Sequence, residues 1–316
     1  MTTSVFPIPA TLLSGAPIKV KFERIYVPTD FTDVSQNALE YAKSIAKFYG
    51  STILLAHVSE PFNPVTPPEV VWFDQFTTQI REEEQLESTR AELQSHGLQA
   101  RTIRLSGVVQ QEILASAVRE QADLIVMGSH ARTGLPRFFL GSEAESLFRH
   151  AHCPILVVGP RAKPVSVPNL VGPGPWLLTS IVCASSFDPA SAPAAAYAAR
   201  LARDHGATLT LLHVDDSEGK VNKDLQISHF ENALNPLLGG DPKPVYLWRA
   251  LMLGYTVGAA IADVAFERNS GLILMGAHEA SSAKTHLPRG IAPQVLAKAE
   301  CPVMVMPGSS SEDGLA

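Results

Sequence analysis

An internal duplication constrains this chain more than any other feature of its sequence. Similar apolar segments return at near-constant offsets of 148 or 156 positions. The recurring pairs are Leu124–Met127 with Leu272–Met275, Cys153-Pro154 with Cys301-Pro302, and His57-Val58 with His213-Val214. Offsets that hold over a whole unit indicate two copies of one domain. The length of 316 residues agrees, because it suits two domains of about 150 residues each.

Within each copy, segments that predict strands alternate with segments that predict helices. In the first copy, strands are predicted at Arg24–Val27, Thr52–Val58, 100–105, Asp123–Met127 and Pro154–Val158. A helix is expected from Thr32 or Asp33 to Gly50, and a long polar helix from 69 to 96. Continuous apolar strands are typical of a parallel sheet buried on both faces. The predicted fold class is α/β: two repeated doubly wound domains, each a five-stranded parallel sheet flanked by helices.

The segment boundaries follow from composition and from the repeat. A proline- and glycine-rich stretch at 161–175 is interpreted as an extended linker. The first residues include three prolines by position 17 and no basic leader, so we expect a disordered or surface-draped arm rather than a cleaved signal. The segments are an arm at 1–22, repeat 1 at 23–160, the linker at 161–175, repeat 2 at 176–307 and a disordered tail at 308–316.

Charge, cysteine count and hydropathy exclude several classes of function. The formal net charge is −6, which argues against a general nucleic-acid binder. Three cysteines suit a reducing cytoplasm better than a disulfide scaffold. No apolar run approaches the roughly 18 residues that a membrane span requires. We therefore expect a cytoplasmic protein with neither nucleic acid nor membrane as a partner.

The stretch Met127–Ser142 carries the functional signal. An apolar strand ends at Gly128, a polar loop follows, and Gly141-Ser142 precedes an amphipathic run. Glycines let the backbone approach a phosphate, and a helix start offers unpaired N–H groups to an anion. Simpler roles stand beside this one, because Ser142 is also a good helix N-cap and Arg132 on a loop is ordinarily solvated.

These residues resemble the universal stress protein family, arranged as a tandem pair. The similar phrases are Tyr-Val-Pro-Thr-Asp-Phe-Thr at 26–32, Leu-Ala-His-Val at 55–58, Asp-Leu-Ile-Val-Met-Gly-Ser-His at 123–130 and Cys-Pro-Ile-Leu-Val-Val at 153–158. The family's nucleotide signature is Gly, two residues, Gly, nine residues, then Gly-Ser or Gly-Thr. Here Gly128 and Gly141-Ser142 keep that spacing, whereas Ala131 replaces the middle glycine.

The resemblance implies a domain of adenine nucleotide α-hydrolase-like type that binds ATP or AMP, with Mg²⁺ accompanying ATP. It places Asp30 near the adenosine and the backbone of Val58 at the base. The implied site residues are Pro28, Thr29, Asp30, Val58, Met127, Gly128, His130, Ala131, Arg132, Gly141, Ser142 and Glu143. It also implies pairing of the two repeats through the last strands, 154–158 and 302–306, and two such chains could associate further as a homodimer.

Repeat 2 carries an eroded version of this site. Asp30 is matched with Ser185 at an offset of 155, the middle glycine position holds Glu279, and Gly141-Ser142 becomes Gly290-Ile291. A carboxylate repels phosphates, and isoleucine offers no hydroxyl. We therefore predict nucleotide binding in repeat 1 only, with repeat 2 as a structural partner.

Two other functions remain open from the sequence, a protein-interaction scaffold without nucleotide and a weak ATPase. No catalytic residue is assigned, because Ser129 and His130 are adjacent on a loop and no third group is placed beside them. The His150-Ala151-His152-Cys153 box has metal-ligand chemistry. Its counterpart at Cys301 is preceded by Ala299-Glu300, so we favour a structural role without metal.

Overall fold

A computed structural model describes residues 4–7, 20–59, 68–129, 147–164, 176–186, 192–215, 247–253, 256–277 and 290–307. The strands are β1 (Ser4–Pro7), β2 (Arg24–Pro28), β3 (Thr52–Ser59), β4 (Gln99–Ser106), β5 (Leu124–Gly128), β6 (Ile155–Val158), β7 (Ser180–Ala184), β8 (Thr208–Asp215), β9 (Leu247–Leu253), β10 (Leu272–Gly276) and β11 (Val303–Met306). The helices are α1 (Asp33–Tyr49), α2 (Pro68–Ser95), α3 (Val109–Arg119), α4 (Ala192–His205), α5 (Val257–Glu267) and α6 (Ile291–Leu296).

The chain divides into two compact units. The N-terminal unit consists of Lys21–Pro136 and Pro164–Trp176. The C-terminal unit consists of Met1–Val20, Arg137–Lys163 and Leu177–Ala316. None of the helices within the described ranges is long and apolar enough to cross a membrane.

In the N-terminal unit four parallel strands lie in the order β5-β2-β3-β4. Strands β2, β3 and β5 are almost wholly buried along their lengths, as their unbroken apolar runs predict. Helix α1 begins at Asp33 with Thr32 as its N-cap and ends at Gly50, as predicted. Its buried stripe includes Ala38, Ala42 and Ile45, which is the spacing of one helix face.

In the C-terminal unit the strand order is β1-β9-β8-β7-β10-β11-β6. The five strands β7 to β11 are mutually parallel, and four of them, in the order β10-β7-β8-β9, repeat the order β5-β2-β3-β4 of the N-terminal unit. Two antiparallel strands flank them: β1 pairs with β9, and β6 pairs with β11 in the register Val303↔Val157 and Val305↔Ile155. The α/β class with a repeated, mostly parallel sheet is therefore confirmed.

The structure adds detail to the predicted arm and to the residue that follows the predicted linker. The arm at 1–22 contributes strand β1 to the edge of the C-terminal sheet. Trp176, the first residue after the predicted linker, is buried and packs its ring against Phe22 and Tyr49 of the N-terminal unit. Residues 165–175 of the linker, residues 216–246 in the middle of repeat 2, and the tail at 308–316 lie outside the described residues.

We predict that Gly50→Ala lowers the free energy of unfolding by about 1 kcal/mol, because Gly50 has φ 73° and an added Cβ would meet nothing within 4 Å. The loss is therefore conformational and not steric. Gly206 is the matched position in the other copy, with φ 64° after α4 and nothing within 4 Å of an added Cβ. We expect Gly206→Ala to lower the free energy of unfolding by a similar amount. Chemical denaturation measures both variants. Asn tolerates this conformation, so a loss for Gly50→Asn as large as that for Gly50→Ala would contradict the explanation.

Candidate functional site

The strand order of the N-terminal unit reverses between β2 and β5. From β2 the chain passes through α1 to β3 on one side, and it returns through β4 and α3 to β5 on the other side. The register Ile25↔Leu124 and Tyr26↔Ile125 sets β2 and β5 side by side. In open α/β sheets the crevice outside the carboxyl ends at such a switch point is where ligands bind.

The described candidate residues lie at the carboxyl edge of this sheet. Pro28, Thr29 and Asp30 end or follow β2, whereas Met127 and Gly128 end β5. Val58 lies near the end of the neighbouring strand β3. The other six predicted residues, His130, Ala131, Arg132, Gly141, Ser142 and Glu143, lie outside the described residues.

Asp30 sits in a turn that also caps α1. Its Oδ1 accepts hydrogen bonds from the backbone N–H of Thr32 (3.1 Å) and from the Thr32 hydroxyl (2.6 Å). The Thr32 hydroxyl in turn accepts from the backbone N–H of Ser35 (3.4 Å). No described residue donates to Oδ2 of Asp30. The capping role that competes with ligand binding is therefore present, and it uses only one of the two carboxylate oxygens.

Phe31, the next residue, has a backbone conformation that a bulky side chain rarely adopts. Its φ is 63°, which costs about 1–2 kcal/mol for a residue with a Cβ. The backbone N–H of Phe31 donates to Thr29 Oγ1 (3.1 Å), and its ring packs against the His57 ring with centroids 4.8 Å apart. Strain of this kind persists only where the surroundings determine it, and it concentrates at functional sites.

His57 is a buried residue of this site that the sequence interpretation missed. Its Nδ1 donates to the backbone carbonyl of Thr29 (2.8 Å), because a carbonyl oxygen can only accept. His213 makes the same bond to Ser185 (2.8 Å) in the other copy. The His-Val pair that recurs in both copies was the sequence signal for this role. A histidine near the end of an apolar strand is buried and therefore needs a hydrogen-bond partner.

The strand registers correct one assignment made from the sequence. Arg24 pairs with Thr52 and Ser180 pairs with Thr208, so the first strands of the two copies are offset by 156 positions and not by 155. Matching backbone bonds run from the Thr29 N–H to Ala56 and from the Ser185 N–H to Leu212. Ser185 therefore corresponds to Thr29, and Ser186 occupies the Asp30 position. The carboxylate is still absent from the second copy.

Gly128 has a packing reason to be glycine. A Cβ added there would lie 2.8 Å from Val34 Cγ1 and 2.9 Å from the Val34 carbonyl oxygen. The end of β5 thus lies directly against the first turn of α1. In the second copy, the helix after β10 is α6, which has six residues and Gly290 as its N-cap.

The potential ligands of the His150-Ala151-His152-Cys153 segment differ in exposure and do not form a metal-binding cluster among the described residues. His150 and His152 are exposed, whereas Cys153 is buried. Within the described part of the chain, no group of three or more His, Cys, Asp or Glu residues could hold a metal ion. Cys153, Cys183 and Cys301 are buried thiols that form no disulfide, and burial raises the pKa of the Cys301 thiol to about 12.

The fold defines an open α/β domain in two copies, with a topological switch point between β2 and β5 in the first. The universal stress protein family model matches residues 21–159 and 178–307. Universal stress protein MJ0531 of Methanocaldococcus jannaschii is 38% identical over 141 residues, which is 43% of this chain and 82% of that protein. Universal stress protein MJ0577 of the same organism is 25% identical over 158 residues, which is 45% of this chain and 97% of that protein.

A solved structure covers both copies together. A universal stress protein from Archaeoglobus fulgidus superposes with a TM-score of 0.67 over 92% of this chain and 97% of its own, at 21% identity, and shows the shared fold. The chain belongs to the universal stress protein family and contains two of its domains in tandem.

Gly128→Ala should be more damaging than Gly50→Ala, because its methyl group would collide with the backbone of Val34. We expect a loss of about 1–3 kcal/mol in the free energy of unfolding. Chemical denaturation of both variants, side by side, measures the difference. Equal losses would show that the contact between β5 and α1 does not require glycine.

The three thiols should resist modification in the native protein, because the reactive species is the thiolate and all three are buried. A colorimetric thiol reagent at pH 8 should label none of them within minutes, and three per chain after denaturation in guanidinium. Rapid labelling of native Cys301 would contradict the burial that raises its pKa.

Proposed function

We propose that the first repeat binds an adenine nucleotide, ATP or AMP, in the crevice between the carboxyl ends of β2 and β5. The observation that carries the proposal is Asp30: a carboxylate at a topological switch point, with one oxygen used by the turn and the other available. An acidic residue at such a strand end commonly accepts hydrogen bonds from ribose hydroxyl groups.

The remaining parts of the nucleotide are assigned from position. The base would lie towards Val58 on β3, and the phosphates would follow the loop after Gly128, where Gly141 and Ser142 keep the family spacing. Arg132 would neutralise phosphate charge, and Mg²⁺ would accompany ATP. Ala131 is the one departure in the signature, and its methyl group is expected to weaken binding without abolishing it.

The second repeat is proposed as a partner without nucleotide. It keeps the hydrogen bond between His213 and the Ser185 carbonyl at the end of its first strand, but Ser186 occupies the position that matches Asp30. Its helix α6 begins at Ile291, which has no hydroxyl for a phosphate. We assign no catalytic step to either repeat.

Pairing of the repeats through their last strands is part of the same proposal. Support comes from the antiparallel register of β6 and β11, which are the last strands of the first and second sequence repeats. Each strand would otherwise be an apolar edge that invites association. Association of two chains remains compatible with this arrangement, and three buried cysteines outside any disulfide favour the reducing cytoplasm as the location.

Isothermal titration of nucleotide-free protein with ATP should show one site per chain. Asp30→Asn should lower the affinity by about 10- to 100-fold, the loss expected for one hydrogen bond to a charged acceptor. Asn keeps an oxygen for Thr32, so the turn is retained while one carboxylate oxygen becomes a donor. Ser186→Ala is the matched control in the second repeat and should leave the affinity unchanged.

A second variant tests the phosphate loop. Gly141→Val with Ser142→Ala should abolish ATP binding while the circular dichroism spectrum stays that of the wild type. Absence of heat from folded, nucleotide-free wild-type protein would refute the proposal and favour a scaffold role. Unchanged affinity in the double variant would place the phosphates elsewhere.

A further inference from the structure

We infer that His57 is a positioning residue for the proposed nucleoside site: it holds the residues on both sides of Asp30 without touching Asp30 itself. The inference deepens the proposed function and rests on it for its consequence in binding. Its structural part concerns the turn alone and can be tested without nucleotide.

His57 first fixes Thr29, the residue before Asp30, through a hydrogen bond. His57 is 5% exposed, and its Nδ1 donates to the Thr29 carbonyl at 2.8 Å. A buried donor and a buried acceptor that lose each other leave two polar groups without solvent to replace the bond. The backbone between β2 and the turn is therefore tied to β3 at this point.

Thr29 is held by its other polar atoms as well. Its backbone N–H donates to Ala56 (2.8 Å), and its hydroxyl lies 3.2 Å from the hydroxyl of Ser35 on α1. The residue before Asp30 is thus fixed by β3 on one side and by the first turn of α1 on the other. Of these holds, the bond from His57 is the one made by a side chain of the neighbouring strand.

The second hold is on the residue after Asp30. The Phe31 ring packs on the His57 ring at 4.8 Å between centroids, with the planes tilted by 38°. This contact supports Phe31 in its left-handed conformation, at φ 63°. Asp30 therefore lies between two residues that are both in contact with one imidazole ring, while its carboxylate is oriented by its own hydrogen bonds from Thr32.

The orientation of the ring depends on Nδ1 and not on Nε2. Nε2 lies 3.2 Å from Glu82 Oε2 of α2, but this approach lacks hydrogen-bond geometry. The Glu82 oxygen instead accepts from the Ser59 hydroxyl (3.2 Å). We therefore expect Glu82→Gln to leave the turn in place, whereas loss of the Nδ1 donor releases it.

The second repeat provides an internal reference. His213 donates from Nδ1 to the Ser185 carbonyl, as His57 does to the Thr29 carbonyl. The residue after Ser185 is Ser186, however, which has no carboxylate. His213→Gln therefore removes the equivalent hydrogen bond in the second repeat and leaves the contacts of Asp30 in place.

The binding experiment compares two isosteres. In His57→Asn the amide nitrogen takes the place of Nδ1, and in His57→Gln it takes the place of Nε2. Titration with adenosine and with ATP should give about threefold weaker binding for His57→Asn, which keeps the donor to Thr29 but loses the ring contact with Phe31, and at least about tenfold weaker binding for His57→Gln, which loses both. Both ligands should weaken equally, because the turn is assigned to the nucleoside. His213→Gln should bind as wild type does.

The second measurement needs no nucleotide. Amide hydrogen exchange should accelerate about tenfold at Thr29 and Thr32 in His57→Gln and stay near the wild-type rate in His57→Asn and Glu82→Gln. The Ser185 amide, bonded to Leu212 (2.9 Å), should keep its rate in all three variants. Acceleration at Ser185 equal to that at Thr29 would indicate global destabilisation and overturn the inference.

The remaining outcomes separate the two proposals. If wild-type protein binds neither ligand, the proposed function fails, and the exchange rates alone decide whether His57 holds the turn. If wild type binds and His57→Gln binds equally well, the positioning role is overturned while the nucleotide site stands. Equal losses in His57→Asn and His57→Gln would assign the effect to the ring and overturn the role of Nδ1.

Discussion

The structure of the N-terminal unit depends on the pairing of β2 with a parallel neighbour on each side. Ile25, Tyr26 and Val27 are wholly buried between β3 and β5. This burial is strong enough to raise the pKa of the Tyr26 hydroxyl to about 12, so the ring remains neutral at any physiological pH. Because all three strands run the same way, their carboxyl ends meet at one edge, and every described candidate residue lies there.

The two copies separate what the fold requires from what a ligand would require. Both copies keep a backbone hydrogen bond from the end of the first strand to the second strand, made by the N–H of Thr29 or Ser185. In both, a histidine of the second strand, His57 or His213, hydrogen-bonds to the carbonyl of that same residue. Only the first copy adds a carboxylate at the next position. Because the two copies share a backbone arrangement but differ in these side chains, function must be argued from the side chains and not from the fold.

The ends of the sheets illustrate the cost of unpaired strands. In the N-terminal unit β4 is an edge of the described sheet, and its outward arginines, Arg101 and Arg104, pair with Glu120 and Glu83. In the C-terminal unit the equivalent strand, β9, is covered by β1, and the last strand, β11, is covered by β6. Charge and coverage are two solutions to the same problem, since a bare edge invites pairing with other chains.

The sequence by itself determined the fold class, the duplication, the limits of α1 and the strand ends at which Asp30 and Gly128 lie, because those features are local or periodic. Apolar runs, a capping threonine and a terminal glycine act within a few residues of where they stand. Only the tertiary structure decided the register that places Ser186 at the Asp30 position, the contact that forbids a side chain at Gly128, and the contacts of His57 with Thr29 and Phe31. These depend on groups that are distant in the chain or on how neighbouring strands align, and no local pattern encodes such distances.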